Sequence, residues 1–167
     1  MHIYSSLSDI QQLAPQREDE NDAFCSFLKQ QDASAVDELV NRLQTTAEAA
    51  IDCTQCGNCC RTLMINVTEE EANRLSEYLS VSRTTFDQTF LEKGESELMI
   101  MNTIPCSFLK ETSCTVYPYR FAGCREFPGL HLPHFTKRLF TTFMHYDRCP
   151  IIFTVVEQLK KDLSFCS

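Results

Sequence analysis

The stretch "CTQCGNCC", residues 53–60, puts four thiols into eight positions. Thiolates crowded this closely repel one another unless a counter-charge neutralises them or oxidation joins them in pairs. Which of these applies decides what the chain can fold around. Ten cysteines among 167 residues is below the density of roughly one in ten that marks a scaffold built on disulfides. The opening "MHIYSSLSDIQQLAPQ" has neither the basic start nor the apolar stretch of a secretory signal. A cytoplasmic protein is therefore expected, and in that compartment ordinary thiols stay reduced.

Three metal-free accounts compete with metal binding. A disulfide framework needs an oxidising compartment. A redox dithiol built on the CxxC pairs would call for a thioredoxin-like βαβ context, which does not surround them. Scattered core thiols suit Cys25 and Cys166, which stand alone, but not Cys53, Cys56, Cys59 and Cys60, nor the second group Cys106, Cys114, Cys124 and Cys149. Metal binding by these eight thiols is the expectation. Structural zinc sites often join two C-x2-C pairs from separate segments, and iron–sulfur clusters are likewise held by cysteine. The run Cys53-x2-Cys56-x2-Cys59 has the spacing of the first three ligands in bacterial ferredoxins, and Cys149-Pro150 parallels their later Cys-Pro. The cofactor is thus zinc or iron, an iron–sulfur cluster included. Consecutive side chains diverge, so Cys59 and Cys60 are expected to serve two centres, or one centre and a neighbouring reactive thiol.

Charge narrows the partners. The net −8 is uneven: residues 1–50 carry −6, residues 51–100 carry −5, residues 101–150 carry +3, and the remainder is neutral. An acidic chain gains nothing from phosphates, so nucleic acid is not an expected partner. No apolar run approaches the roughly 20 residues of a membrane helix. The metal ion is the expected partner; the sequence names no protein partner. Arg61, Arg120 and Arg125 lie beside or near cysteines, where cations would stabilise a negative thiolate centre. His131 and His134, in "HLPH", have a spacing usable by a metal but read as loop histidines, and His2 and His145 stand alone. No nucleophile elbow, phosphate-cradling loop or acid/base pair marks a catalytic residue.

Periodicity places the cysteines on elements. A short helix around residues 23–30 would turn Ala23, Phe24, Phe27 and Leu28 inward. A longer one, capped by Asp32, carries Val36, Leu39, Val40, Leu43, Ala47 and Ile51 at helical spacing and runs into Cys53. Gly57 supplies conformational freedom to the tight loop that follows. Residues 61–67 read as extended. Thr68 and Glu71 form a capping box for a helix burying Ala72, Leu75, Tyr78 and Leu79. Ser82 caps the next helix, where Phe86 and Phe90 are four apart. Residues 97–106 read as a strand delivering Cys106, residues 106–133 as loop, and residues 138–146 as a further strand. The last helix opens on Pro150, with Cys149 at its N-cap, where the dipole favours a thiolate.

The two cysteine groups together resemble the CxxCxxCC family of zinc- or iron-chelating domains, also described as YkgJ-type cysteine cluster proteins. The first signature is "CTQCGNCC"; the second, "CSFLKETSCTVYPYRFAGCREFP", matches the family pattern at Cys106, Phe108, Leu109, Cys114, Val116, Tyr117, Arg120, Cys124, Arg125, Phe127 and Pro128. Phe121 stands where the family has proline, which is expected to loosen the turn before Cys124 without removing a ligand. The closing "RCPIIFTVVEQLKKDL" is similar too, so the likeness spans residues 53–165. The resemblance implies metal chelation by cysteine. A related cysteine cluster occurs in flagellin lysine N-methylase, which implies a second reading: a metal- or thiol-dependent protein-modifying enzyme. The expected fold is mainly α with a few short strands, a small single domain organised around a loop-rich cysteine–metal cluster. Residues 1–31 would form a polar, partly helical extension and residues 32–167 the metal-binding domain.

Overall fold

A computed structural model describes residues 1–94 and 98–166. Along the chain the helices are α1 (Leu7–Leu13), α2 (Glu18–Leu28), α3 (Ala33–Ala50), α4 (Cys53–Cys56), α5 (Cys59–Thr62), α6 (Glu69–Tyr78), α7 (Arg83–Phe90), α8 (Ala122–Glu126), α9 (Leu139–Met144) and α10 (Pro150–Asp162). The strands are β1 (Asn66–Val67), β2 (Leu91–Lys93), β3 (Met99–Met101), β4 (Leu109–Lys110) and β5 (Ser113–Cys114). The fold is mainly α with a few short strands, as expected, and no described helix is long and apolar enough to cross a membrane.

Side chains start the helices where the sequence places them. Asp32 accepts the amide of Ala35 at 2.8 Å, and Ser82 that of Thr85 at 3.1 Å. Thr68 and Glu71 form the reciprocal box, the Glu71 amide reaching Thr68 Oγ1 at 3.2 Å and the Thr68 amide reaching Glu71 Oε2 at 3.0 Å. Each satisfies amides that the first helical turn leaves without partners.

Contacts divide the chain into two compact units, Met1–Asp52 with Pro128 onward, and Cys53–Phe127. In the first, α10 packs on α3 and α1. Residues of α10 are buried almost all round from Pro150 to Leu159, broader than the stripe its periodicity suggests. The N-terminal segment supplies core: Ile10, Ala14, Phe24 and Leu28 are buried, whereas Ala23 is exposed and Phe27 only half-buried. Asp37 of α3 accepts the amides of His134 and Phe135 at 2.7 and 2.8 Å and so caps the 3-10 turn Phe135–Lys137. Residues 138–146 are not a strand. Leu139, Thr142, His145 and Tyr146 are buried while Phe140 is exposed, a three-to-four-residue period that makes residues 139–144 the helix α9.

In the second unit β1, β3 and β2 form an antiparallel sheet with β3 central, pairing Val67 and Lys93 with Met99. The strand expected over 97–106 is only Met99–Met101; its first residue, Glu97, lies outside the described residues. The expected extended run 61–67 is strand only at Asn66–Val67. The core is Leu75, Phe86, Met99, Met101, Phe108 and Phe121, and Cys106, Cys114 and Cys124 pack against it. Tyr78, expected inside, is exposed and stacks on Tyr119 with ring centroids 4.0 Å apart.

Candidate metal centre

The first cysteine group occupies two helical turns, α4 and α5, hinged at Gly57 rather than a loop. Gly57 has φ +59°, and a Cβ there would stand 2.6 Å from the carbonyl oxygen of Thr112. Only glycine fits both the left-handed backbone and that approach. The approach brings the cysteine run against the hairpin β4–β5, which carries Cys114. Arg61 ties the two together, donating through Nη1 to the Cys56 carbonyl at 3.0 Å and through Nη2 to the Glu111 carbonyl. Ser113 Oγ donates to the Thr54 carbonyl at 3.3 Å, and the Cys106 amide to the Cys60 carbonyl at 2.8 Å.

Cys106 and Cys114 sit in matching turns. Each sulfur accepts the backbone amide two residues on, from Phe108 and from Val116. Phe108 and Val116 are buried, which fixes both amides. Donors of this kind orient a cysteine ligand and stabilise its thiolate. Cys124 lies on α8, behind the N-cap Phe121. Phe121 adopts φ −60° and is buried, so it holds the backbone angle proline would impose and adds a core ring. The turn before Cys124 is therefore not loosened. Glu71 secures it further: Oε1 accepts the Ala122 amide at 2.5 Å while Oε2 serves the capping box. Burial works to raise the Glu71 pKa, but the hydrogen bonds from Thr68 and Ala122, aided by Arg125, outweigh it and the net shift is downward.

Four sulfurs share one electrostatic field. Cys60 acts on Cys106, Cys114 and Cys124, and Cys106 and Cys114 act on Cys124. Burial, then these neighbours, pushes Cys124 up to about 12. Burial first and the neighbours after it also raise Cys106 and Cys114. Cys60 moves the other way, to about 7, through its hydrogen bond with Cys59 and the Arg61 charge, against burial. As bare thiols only Cys60 is shifted toward ionisation; a bound divalent cation would favour the thiolate at all four. Among the described residues no three Cys, His, Asp or Glu side chains stand at ion-holding geometry. The grouping is one of shared field and thiol spacing. Its donor chemistry, sulfur with backbone N–H donors and no carboxylate, fits zinc or iron.

The adjacent pair does not diverge as expected: the Cys59 and Cys60 sulfurs are 4.0 Å apart. Four thiolates on one zinc at ~2.3 Å stand about 3.8 Å from each other, so this separation alone does not assign the pair to different ions. Cys53 is exposed, and Cys56 and Cys59 are half-buried. Cys149 is the buried N-cap of α10, with extended φ −125°. It belongs to the first unit and the other seven to the second. Cys25, half-buried, and Cys166, exposed, also belong to the first unit.

The arginines divide by role. Arg120 lowers Cys114 and Cys124 and lies over the Tyr117 ring at 4.0 Å. Arg61 acts on Cys60, whereas Arg125 acts on Glu71. His131 accepts at Nδ1 from Gln44, 3.2 Å away, if its proton is on Nε2. His145 is buried, and desolvation lowers its pKa. Sequence reasoning missed the Gly57–Thr112 approach, the hairpin, and the reach of Glu71 to Ala122. The first and last join residues some fifty positions apart, the hairpin pairs only two residues from each strand, and only the capping box left a local signal.

No curated protein and no solved structure matched the chain. The family model for CxxCxxCC, described as "putative zinc- or iron-chelating domain", matches residues 52–150. That span covers the whole of the second unit and extends to Cys149 and Pro150. The chain belongs to the CxxCxxCC family.

Proposed function

We propose that this metal-binding chain holds zinc or iron through Cys60, Cys106, Cys114 and Cys124 as one four-thiolate set. The observation that supports this grouping is the mutual field of those four sulfurs, together with the paired amide donors of Phe108 and Val116. Cys53, Cys56 and Cys59 of the second unit, and Cys149 of the first, stay in the ligand set on the strength of their spacing. A bound ion would neutralise the clustered thiolates; if it is iron with sulfide, it would also carry an electron. The reading keeps the protein in a reducing compartment, where all eight thiols remain available.

The test is purification without oxygen, with metal and sulfide analysis and a visible spectrum. Zinc in a colourless protein, or iron with sulfide in a brown one, supports the reading and chooses between the metals. Protein that carries neither and takes up neither on reconstitution sinks it. Single serine variants at Cys60, Cys106, Cys114 and Cys124 should each lower metal content, whereas Cys25→Ser and Cys166→Ser should not.

A further inference from the structure

The first unit contains a cavity of about 360 Å³, lined among others by Glu18, Asn21 and Asp22 of α2, Phe143 of α9, and Tyr146 and Asp147 just beyond it. That volume is within the range of small-molecule sites. Glu18, Asn21 and Asp22 fall at i, i+3 and i+4, one face of the helix. Asn21 and Tyr146 are buried, while Glu18 and Asp22 are exposed at the rim. Among the described residues no lysine, arginine or histidine lines the cavity.

The floor is short of a donor. Tyr146 donates its hydroxyl hydrogen to Glu157 Oε1 at 2.6 Å. Asn21 also hydrogen-bonds Tyr146, and since the phenolic hydrogen is committed, Asn21 must donate through Nδ2. Its Oδ1 is left buried with no hydrogen-bond partner, and Asn21 is only 8% exposed. Acids in a first helical turn ordinarily serve the helix dipole. That accounts for Glu18, and Asp147 has a half-exposed ion pair with Arg148 Nε at 3.5 Å, but nothing of the kind accounts for the Asn21 oxygen.

Every uncommitted polar group named here accepts hydrogen bonds, so the occupant must donate and carry positive charge. A lone inorganic cation does not fit, because among the described residues no three carboxylates converge at ion-holding geometry. Charges spread around a molecule-sized cavity suit a molecule with spread charges. The Phe143 and Tyr146 rings, 5.9 Å apart and 29° from parallel, offer apolar contact for methylene groups and a face for an ammonium.

We infer that this cavity binds a small organic polycation of the diamine or polyamine class. Its ammonium groups lie against Glu18, Asp22 and Asp147, and one N–H reaches Asn21 Oδ1. The site is independent of the cysteine cluster. The test uses the full, metal-loaded chain at physiological ionic strength, titrated with spermidine, Nα-acetyl-lysine amide and magnesium chloride. Binding is read by calorimetry and by the side-chain amide resonances of Asn21. The expected result is saturable one-to-one binding of spermidine that shifts the Asn21 amide, with the lysine amide binding about fivefold or more weakly. The double variant Asp22→Asn, Asp147→Asn should lose about fivefold or more of the spermidine affinity with an unchanged circular dichroism spectrum. No saturable binding, an unmoved Asn21 amide, equal affinity in the variant, equal binding of the lysine amide, or displacement by magnesium at matched charge would overturn it.

Discussion

Replacing Gly57 by alanine tests how the cysteine run is held against its hairpin. Gly57 is at φ +59°, and an added Cβ would lie 2.6 Å from Thr112 O and 3.0 Å from Thr112 Cα. The left-handed conformation costs an L-residue about 1–2 kcal/mol. The contact is with backbone, so no rotamer change relieves it. The hairpin must shift, at about 1–3 kcal/mol by analogy with overpacked cores. The expected loss is about 2–5 kcal/mol, a large share of the ~5–15 kcal/mol that holds a typical domain together. Because Arg61 bridges the Cys56 and Glu111 carbonyls, a moved hairpin disturbs Cys56 and Cys114 together. Urea unfolding of the metal-loaded protein, with chelator competition for metal affinity, measures both effects. Gly57→Asn separates the two costs, since asparagine tolerates the left-handed region but carries the same Cβ; it should recover about 1 kcal/mol and no more. If Gly57→Ala loses under about 0.5 kcal/mol and keeps its metal, the close approach does not fix the site.

Glu71→Gln removes a buried charge that accepts the Thr68 and Ala122 amides and should cost about 1–3 kcal/mol at neutral pH. The Glu71 pKa is lowered by folding, so its contribution is present above the unfolded value near 4.3 and fades as pH falls through the folded one. The difference between parent and variant in urea melts should therefore shrink below about pH 4; a constant gap would contradict the assignment. Phe121→Pro keeps the observed φ −60° and the preceding Arg120 ψ 150°, both compatible with proline, but empties a buried ring site. It should lose about 2–4 kcal/mol with metal stoichiometry intact, and loss of metal would mean the backbone angle is not what matters. Lys160→Met removes the ammonium that pairs with Glu157 and Glu20 at 2.9 and 3.2 Å. Glu157 keeps Arg17 and the Tyr146 hydroxyl, so the change should cost about 1–3 kcal/mol. A change under 1 kcal/mol in thermal and urea melts would show that the buried pair is dispensable.

Local signals carried most of the helical reading. Asp32, Thr68 with Glu71, and Ser82 act on amides three residues away, and Pro150 opens α10, so the sequence contains the whole interaction. Residues 138–146 misled because threonine and phenylalanine favour strands, and only packing in the first unit, burying Leu139 and Thr142, selects the helix. The sheet was invisible for a related reason: its strands are two or three residues long, too short for periodicity, and β1 pairs with β3 across more than thirty positions. At the site, spacing marked out the eight cysteines but not their grouping. Grouping depends on the Gly57 approach to Thr112 and on the hairpin that presents Cys114. The small separation of Cys59 and Cys60 is likewise a product of the α5 turn, not of adjacency alone.

X-ray absorption at the metal edge of oxygen-free protein reads the coordinating atoms directly. An all-sulfur shell at about 2.3 Å, lost in step with metal when Cys60, Cys106, Cys114 or Cys124 becomes serine, is the predicted result. A shell of nitrogen and oxygen, or an all-sulfur shell whose metal content is unchanged by those four substitutions, would contradict it.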